Sequence, residues 1–386
     1  MKIAYISISA LTDSDLPLLH ELKAGAEVDY YLIVTNTTRQ GTVINLKLKE
    51  KGGIFSGTEY PELKVLEDWI DLSHVFIVNK PVNHDWEWTN FRVSWQWMKM
   101  LMNYQYDIIH LTWPLRYCSF PLYALHKKMV VTMHDPLPHS SNMTFENKLH
   151  RWFCLQLTPD FILLNHTQKP QFMKAYGISE ERVHMSMLSI FSHLQNTKAA
   201  PPMNEKPYIL YVGSIMPHKG IEYLCEAMKT VVTKKPDLHV VIAGKGQFYF
   251  DVKPYLEHPN FTFINRFITN EELASLIIHS IAVVCPYIDA TQSGVVMSAF
   301  ALNKPVIATK VGALSEMVSD KRFGILVPAR DSSALAQAIH YITKPGVAEE
   351  MIQNIVKEYS EGTRSWKQIA AMMLSTYESI IQRRNK

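Results

Sequence analysis

The stretch from residue 281 to residue 308 contains a polar turn that could bind an anion. Thr291–Gly294 consists of small and amide residues, whose backbone N–H groups can point at a negatively charged ligand where a helix begins. Before it, Ile281–Cys285 has the composition of a buried parallel strand, and after it Val295–Leu302 has that of a helix packed on a sheet. Pro305–Ala308 reads as the next strand. This order predicts a nucleotide or phosphate crevice at the strand ends.

A second turn places a lysine where it could neutralise a diphosphate. Val212–Gly220 follows a predicted strand and precedes a helix, so Gly213 would let a ligand approach the backbone and Lys219 would supply a cation. An ordinary strand-to-helix turn with a solvated lysine explains the same pattern. The glycine-rich run Ala243–Gln247 lacks the spacing of a P-loop, and we expect Lys245 to be exposed.

Histidines and carboxylates of the first half offer fewer candidates. His134 directly follows a predicted strand, where its imidazole could donate a hydrogen bond to a sugar or phosphate or serve a structural role. His110 and His139 are interpreted as structural. Asp13 and Asp15 resemble an acidic metal pair, but their position favours capping of the first helix, with Asp15 at its start. Without clustered histidines we expect no metal.

Composition limits the class of protein. The chain has 386 residues, 47% of them hydrophobic and 19% charged, which favours a soluble protein of two domains. A net charge of +3 argues against nucleic acid as a partner. Four scattered cysteines without a Cys-x-x-Cys pair predict a reducing cytoplasm and neither disulfides nor structural zinc. Met1–Ser9 is interpreted as a first strand rather than a signal peptide or spanning helix.

Strand and helix patterns alternate on both sides of a polar, proline-containing stretch at residues 196–207. This stretch is the predicted linker between two Rossmann-like, doubly wound α/β domains facing a cleft. The domains are placed at residues 1–200 and 207–364. Among the individual elements, Val43–Leu48 is predicted as a strand and Asp15–Lys23 as a helix.

An aromatic segment at residues 95–102 has two interpretations. Trp95, Trp97 and Lys99 could rest at a membrane interface, since tryptophan favours that depth and lysine can extend to the headgroups. A core helix that covers the first sheet is the alternative, and the pattern favours it. A nucleic-acid surface is a weaker interpretation, because the aromatic residues are not interleaved with a run of Arg and Lys.

The second half resembles family 4 glycosyltransferases across residues 207–342. The resemblance rests on these motifs: Tyr211–Gly213 with Lys219–Gly220, Ala243–Gly246, Asn265–Phe267 with Glu271–Leu273, Pro286–Tyr287, Gln292–Gly294, Lys304–Ala308, Gly312–Glu316 and Gly324–Pro328. In the first half it is limited to Asp107–His110 and Val131–Asp135, and residues 365–386 are similar to the family's closing helix. The resemblance implies the GT-B fold, with that helix packing back on the N-terminal domain. It also implies a retaining, metal-independent transferase that uses a nucleotide sugar.

The resemblance assigns roles to individual residues. Lys219 would bind the donor diphosphate, Thr291–Val295 would cradle the phosphates and sugar, Arg266–Ile268 would border the nucleobase, and His134 would meet the transferred sugar. The catalytic candidates are His134, Lys219 and Asp289. The donor-binding candidates are Gly213, Ser214, Lys219, Gly244, Arg266, Ile268, Thr291, Gln292, Ser293, Gly294, Val295, Ser298 and Glu316.

Three positions depart from the family's pattern. Ser214 stands where the family usually has a phosphate-binding arginine, and Ala290 and Ser298 stand where it has two glutamates. Each lost polar contact would weaken donor binding by about 1–3 kcal/mol. Asp289 and Glu316 are the nearby carboxylates that could substitute.

Two functions are therefore predicted from the sequence. The first is transfer of a sugar from a UDP- or GDP-linked donor to a hydroxyl of a glycan or lipid-linked acceptor, with retention, in the synthesis of a bacterial surface polysaccharide or glycolipid. Such an enzyme would be cytoplasmic, with peripheral contact to the inner membrane face as a further expectation. The second is a catalytically silent sugar-nucleotide-binding partner of another transferase.

Overall fold

The structure, a computed structural model, describes residues 1–35, 43–44, 46, 49–81, 87–114, 119–137, 145–202 and 206–385. The chain divides into two compact units. Unit 1 comprises Met1–Leu188 and Arg364–Lys386, and unit 2 comprises Ser189–Thr363. Within the described ranges, every helix falls short of the length and apolar character needed to traverse a bilayer.

Each unit has a single sheet. The strands of unit 1 are β1 (Lys2–Ile8), β2 (Glu27–Thr35), β3 (Gly53–Ser56), β4 (Val75–Lys80), β5 (Ile108–Leu111), β6 (Met129–Met133), β7 (Asp160–Leu163) and β8 (Val183–Met185), and those of unit 2 are β9 (Tyr208–Val212), β10 (His239–Ala243), β11 (Phe261–Ile264), β12 (Ala282–Cys285), β13 (Val306–Thr309) and β14 (Gly324–Val327). The first sheet has the order β3-β4-β2-β1-β5-β6-β7-β8 and the second β11-β10-β9-β12-β13-β14. All pairs are parallel except β3–β4.

Helices connect most of the strands. They are α1 (Thr12–Leu22), α2 (Trp88–Asn103), α3 (Phe145–Leu157), α4 (Lys169–Tyr176), α5 (Ile221–Lys234), α6 (Lys253–Leu256), α7 (Asn270–His279), α8 (Gly294–Ala301), α9 (Leu314–Val318), α10 (Ser332–Ile342), α11 (Val347–Ser360) and α12 (Trp366–Arg384). A 3-10 segment, Phe120–Lys128, connects β5 to β6. Parallel strands need such crossovers, which is why the alternating sequence pattern predicted this architecture.

The two faces of the unit 1 sheet are covered by different helices. Ala4 and Ile6 of β1 point into a core shared with α2, α3, α4 and the 3-10 segment. Tyr5, on the opposite face of the same strand, contacts His110, which in turn bonds Tyr377 of α12. Helix α1 packs against α12 on that second face. Successive side chains of a strand point to opposite faces of the sheet. Each face is therefore covered by its own layer of helices.

The last helix is tied to unit 1 by a buried carboxylate. Asp160, at the start of β7, is fully buried and accepts hydrogen bonds from the guanidinium groups of Arg383 and Arg384, the second at 2.7 Å, and from His184 Nε2 at 2.9 Å. These hydrogen bonds hold the pKa of Asp160 at about 2, against the effect of its burial. Packing of residues 365–386 on the N-terminal unit is therefore explained by charge as well as apolar contact.

Some element predictions need correction. Helix α1 begins at Thr12, so Asp15 lies inside it rather than at its start, and no side chain caps it, because a 3-10 turn at Ser9–Leu11 leads directly into the helix. Within the predicted linker at 196–207, the described residue Ala200 donates its backbone N–H to Glu271 O of α7, which ties this part of the stretch to unit 2. The predicted strand Val43–Leu48 falls largely outside the described residues.

Candidate functional site

The candidate site of unit 2 lies at the carboxyl ends of its parallel strands. From β9 the chain first continues to β10 and β11 on one side of the sheet, and then crosses to β12 and β13 on the other. The strand order therefore reverses between β9 and β12. Loops at such a point diverge and leave a crevice, the usual ligand position in a doubly wound sheet. The turns after β9 and β12 carry Lys219 and Thr291–Val295.

The turn that carries Lys219 is fixed by backbone contacts to the turn after β12. Ile288 N donates to His218 O at 2.8 Å. Gly220 has φ +62°, and a Cβ at this position would lie 2.1 Å from Pro286 O, so only glycine fits. The short 3-10 turn Pro217–Lys219 is thereby held against Pro286. This docking fixes the direction of the Lys219 side chain.

Lys219 is a half-buried cation that lies over an aromatic ring. Its Nζ is 3.7 Å from the centroid of the Tyr287 ring, a favourable cation–π distance. Burial lowers the pKa of the Lys219 ammonium. No carboxylate of the described residues pairs with it. Tyr287 itself is fully buried, and burial raises the pKa of its hydroxyl well above the ordinary value, so the ring stays neutral. A half-buried ammonium without a carboxylate partner has the charge and the free donors to bind an anion.

The turn after β12 ends in the capped start of α8. Ser293 is the N-cap residue, and its Oγ accepts a hydrogen bond from Val296 N at 3.4 Å. Gly294, the first residue of the eight-residue helix, is exposed. The first turn of a helix presents backbone N–H groups and the positive end of the helix dipole. Thr291, Gln292 and Val295 are all partly exposed around it.

Two predicted glycines lie side by side at the ends of β9 and β10. Both Gly213 and Gly244 have φ +141°, a region that L-residues avoid, and a Cβ on Gly244 would lie 1.9 Å from Gly213 O. A Cβ on Gly213 would lie 3.8 Å from Val295 Cγ2. The structure therefore brings Gly213, Gly244 and Val295 together, with Lys219 on the turn that follows Gly213.

Other predicted residues lie in the same group of loops, but several have their polar groups engaged. Arg266 forms a two-point ion pair with Glu272, at 2.7 and 2.8 Å, which leaves its guanidinium committed to the start of α7. Ile268 is partly exposed in the same loop. Ser298 Oγ donates to Gly294 O at 3.0 Å within α8. Ser214 and Asp289 are exposed, while Glu316 is partly buried on α9.

The unit 1 candidate, His134, lines a separate pocket within its own unit. The pocket is bordered by Tyr5, Ser14, Asp15, Leu18, His110, Thr132, His134, Ile162, Leu164, Ser186, Met187, Leu188, Trp366 and Met373. The imidazole of His134 stacks on Trp113, with ring centroids 6.4 Å apart. Burial lowers the pKa of His134 to about 4, although the charge of Asp135 opposes this. Near neutral pH it is therefore an uncharged imidazole that can both donate and accept a hydrogen bond.

Two further titratable groups of this pocket have structural partners. His110 Nε2 bonds Thr132 Oγ1 at 2.7 Å and its Nδ1 bonds the hydroxyl of Tyr377, so the structural interpretation holds. Asp15 accepts hydrogen bonds from the hydroxyls of Tyr5 and Tyr30, at 3.2 and 3.0 Å. Burial nevertheless raises the pKa of Asp15 to about 7. Asp15 is therefore part of a buried network rather than a helix cap.

One group of potential metal ligands lies away from both sites. Ligand atoms of Glu27, Asp29 and His74 lie within 4.8 Å of one another, next to the amino ends of β1 and β2. Lys2 Nζ already lies 2.8 Å from Glu27, and the Tyr106 hydroxyl donates to Asp29. With the contact of His74 Nδ1 to Asp29 Oδ1 at 2.7 Å, these interactions engage both carboxylates within the protein. The absence of a metal from catalysis stays a prediction.

Tyr287 is a residue of the candidate site that was not predicted from the sequence. The Pro286–Tyr287 motif placed it in the turn after β12, but nothing in the motif indicated that its ring lies beneath Lys219. The two residues are brought together only by the sheet order. An aromatic side chain two positions beyond a buried strand was the available signal.

Comparisons with known proteins show that the chain is similar to glycosyltransferases. The family model Glycosyl transferases group 1 matches residues 206–344. An alpha-D-kanosaminyltransferase of Streptomyces kanamyceticus is 27% identical over 156 residues, which are 39% of this chain and 40% of that protein. A phosphatidyl-myo-inositol mannosyltransferase of Mycobacterium leprae is 24% identical over 304 residues, 73% of this chain and 76% of that one. The match to the first of these relatives thus spans less than half of its length.

Solved structures of similar fold cover nearly the whole chain. Sucrose-phosphate synthase from Thermosynechococcus elongatus matches 99% of this chain and 100% of its own, with a TM-score of 0.66 and 19% identity. The Anabaena protein HepE, in complex with UDP and glucose, matches 98% of this chain and 100% of its own, with a TM-score of 0.62 and 15% identity. At such identities the likeness concerns the fold, and the predicted GT-B fold is confirmed.

Proposed function

Because residues 206–344 match the family model Glycosyl transferases group 1 and the chain has the GT-B fold, we propose that the protein transfers a sugar from a nucleoside-diphosphate sugar to a hydroxyl acceptor, with retention of anomeric configuration. Support for such a donor comes from the structural neighbour that binds UDP and glucose. We further propose a glycan or lipid-linked acceptor in surface polysaccharide or glycolipid synthesis, a cytoplasmic location and no metal.

One observation carries the proposal. Lys219 is a half-buried ammonium without a carboxylate partner among the described residues, and it lies at the switch point of the unit 2 sheet beside the turn that leads into α8. A lysine buried without a partner is costly to the folded state unless an anion binds there. A nucleoside diphosphate has the charge and the oxygen acceptors for that position.

The proposed chemistry follows from where negative charge develops. As the bond between the sugar and the diphosphate breaks, charge grows on the diphosphate oxygens. The Lys219 ammonium and the N–H groups at the start of α8 would stabilise that charge. His134, kept neutral by burial, would hydrogen-bond a sugar hydroxyl without repelling the cationic character of the transition state. No step requires a metal, because lysine and N–H dipoles supply the positive charge.

A melting-temperature screen with UDP, GDP and their sugars tests donor binding, since a ligand that binds only the folded state raises that temperature. Lys219→Ala should weaken nucleotide affinity by about 10- to 100-fold, the equivalent of a lost charged hydrogen bond of ~1.5–3 kcal/mol. Lys304→Ala is the matched control. Lys304 is also half-buried with a lowered pKa, but it precedes β13 and so lies at the amino edge of the sheet. Equal affinities of the two variants would refute the diphosphate assignment.

A silent nucleotide-binding protein is the second candidate, and the structure contains specific features that favour it. Ala290 is buried and has no polar side chain. The Ser298 hydroxyl donates its hydrogen bond to Gly294 O, within its own helix. Neither replaces a carboxylate that would hold a sugar or ribose. An assay of sugar transfer or hydrolysis decides between the two candidates. The protein is incubated with a UDP- or GDP-sugar, and the released nucleotide is measured. A nucleotide-induced rise in melting temperature without turnover on any offered acceptor would assign the silent function.

A further inference from the structure

One face of unit 1 has an unusual charge distribution. The four segments that cover this sheet face, α2, the 3-10 segment Phe120–Lys128, α3 and α4, each contain two Lys or Arg, eight in all. Glu146 is the only acidic residue in these segments. The net charge of the whole chain is +3, so this layer is more basic than the chain as a whole. We call the outer surface of these four segments the aromatic-basic face.

Several cations of this face are free to meet an external partner. Lys169 pairs with Glu180, and the side chains of Arg151 and Lys128 bond backbone or hydroxyl oxygens of the protein. The remaining five are exposed and have no ion-pair partner within the described part of the chain. They are Arg92, Lys99, Lys127, Lys148 and Lys174.

Exposed tryptophans accompany these cations. Trp88 and Trp95 of α2 are 74% and 45% exposed, and Trp152 of α3 is 54% exposed. Trp97, in contrast, is fully buried in the sheet-facing core, as the favoured core-helix interpretation expects. Monomeric surfaces rarely expose several tryptophans on one layer without a binding role.

The geometry of the α2 rings distinguishes between two possible anionic partners, a nucleic acid and a lipid bilayer. Trp88 stacks on Phe91 and Phe91 on Trp95, with centroid distances of 5.4 and 6.3 Å and interplanar angles of 23° and 25°. Phe91 thus covers one face of each indole, and Lys99 Nζ lies over the Trp95 ring, 5.6 Å from its centroid. Nucleic-acid bases need free ring faces for stacking. Exposed indoles that share α2 with the exposed Arg92 and Lys99 instead match the interfacial region of a bilayer, where tryptophan and basic residues concentrate.

We propose that the aromatic-basic face of unit 1 docks on an anionic lipid surface. The indole rings of Trp88, Trp95 and Trp152 would enter the headgroup region, while the free lysines and Arg92 would meet lipid phosphates. The docking is independent of donor binding, because the residues lie in unit 1 and the donor candidates lie in unit 2. It extends the membrane interpretation from one helix to a layer of four segments.

Vesicle co-sedimentation of the full chain tests the proposal. We expect the protein to pellet with vesicles of equimolar phosphatidylcholine and phosphatidylglycerol, less with phosphatidylcholine alone, and less as salt is raised. Trp88→Ala/Trp95→Ala should lower partitioning by about tenfold or more, since each indole has a large apolar surface to bury. Tyr341→Ala/Leu256→Ala, which removes exposed apolar side chains from unit 2, is the control and should leave partitioning unchanged.

Charge reversal provides an independent arm. Lys99→Glu/Lys127→Glu/Lys148→Glu should reduce binding to the anionic vesicles by about 100-fold, since each lysine near such a surface contributes roughly fivefold. The control makes the same change in net charge at exposed lysines off this face, Lys234, Lys357 and Lys367.

Three results would overturn the proposal. The first is equal pelleting of test and control variants that remain folded. The second is equal binding to neutral and anionic vesicles. The third is release from the vesicles by duplex DNA that binds as tightly as the lipid, which would assign the face to nucleic acid. Unchanged nucleotide binding by the lysine variants would show that a loss of docking is separate from the donor site.

Discussion

Replacing Asp160 by asparagine should loosen α12 from unit 1. The carboxylate is fully buried between Arg383, Arg384 and His184, which keep its pKa at about 2 instead of 3.8. That difference corresponds to about 2–3 kcal/mol of folding free energy at neutral pH. Removing one partner of a fully buried ion pair costs roughly 3–5 kcal/mol. Because the arginines are 40% and 18% exposed and can regain water, the lower estimate applies.

The pH dependence of this effect has a definite sign. A carboxylate with a depressed pKa in the folded state stabilises the protein above its unfolded pKa of 3.8, and this contribution is lost as pH falls through about 2. The difference between the native protein and Asp160→Asn should therefore be largest near pH 7. It should fall to about half at pH 3.

Tryptophan fluorescence during urea unfolding measures this difference for unit 1 alone. All eight tryptophans of the sequence fall in the residue ranges of unit 1. Asp68→Asn, an exposed carboxylate of the same unit, is the control. Hydrogen exchange should also rise in the last turns of α12 before it rises in β1. The reasoning is refuted if Asp160→Asn and Asp68→Asn unfold at the same urea concentration, or if their difference is the same at pH 3 and pH 7.

Two further predictions concern buried features of the two units. Burial raises the pKa of Asp15 to about 7, so the native protein should lose stability as pH rises from 4 to 7, whereas Asp15→Asn should show a flatter profile by urea titration of tryptophan fluorescence; parallel profiles would exclude the raised pKa. Gly244→Ala should destabilise unit 2 by about 2–3 kcal/mol, measured by far-UV circular dichroism, because a Cβ there meets Gly213 O at 1.9 Å with φ at +141°. Gly346→Ala, at φ +83° with open space around it, should cost only about 1 kcal/mol, and equal losses would contradict the steric argument.

The bounds of individual helices and strands could be predicted, because residues within and next to each element determine where it begins and ends. The helix predicted at Val295–Leu302 is α8 at Gly294–Ala301, and Asn303 follows it with φ +56°, the left-handed conformation that ends helices. The buried run that predicted the preceding strand is β12. In contrast, β3 pairs antiparallel at the sheet edge, and no short-range pattern determines which strand it joins.

The side-chain environment of the candidate site could not be read in the same way. Lys219 was predicted at the mouth of its turn, but the burial that lowers its pKa and its contact with the Tyr287 ring, on a different βα connection, depend on the tertiary fold. Arg266 was predicted to border a base, yet Glu272 binds its guanidinium at two points. Spacing identifies which residues share an edge of the sheet. Spacing does not determine which of these side chains form ion pairs, hydrogen bonds or ring contacts with one another.

Helix geometry already shows that the membrane interpretation of the aromatic segment cannot apply to both Trp95 and Trp97. Trp95 and Trp97 are two residues apart, which separates them by about 200° around a helix axis, so they cannot face the same membrane. Trp88 and Trp95 are seven residues apart and return to nearly the same side. The structure agrees with this helical spacing: Trp97 lies in the core, and Trp88 and Trp95 are exposed. The competing interpretations of this segment as core helix and membrane surface therefore apply to opposite sides of α2, and both can hold at once.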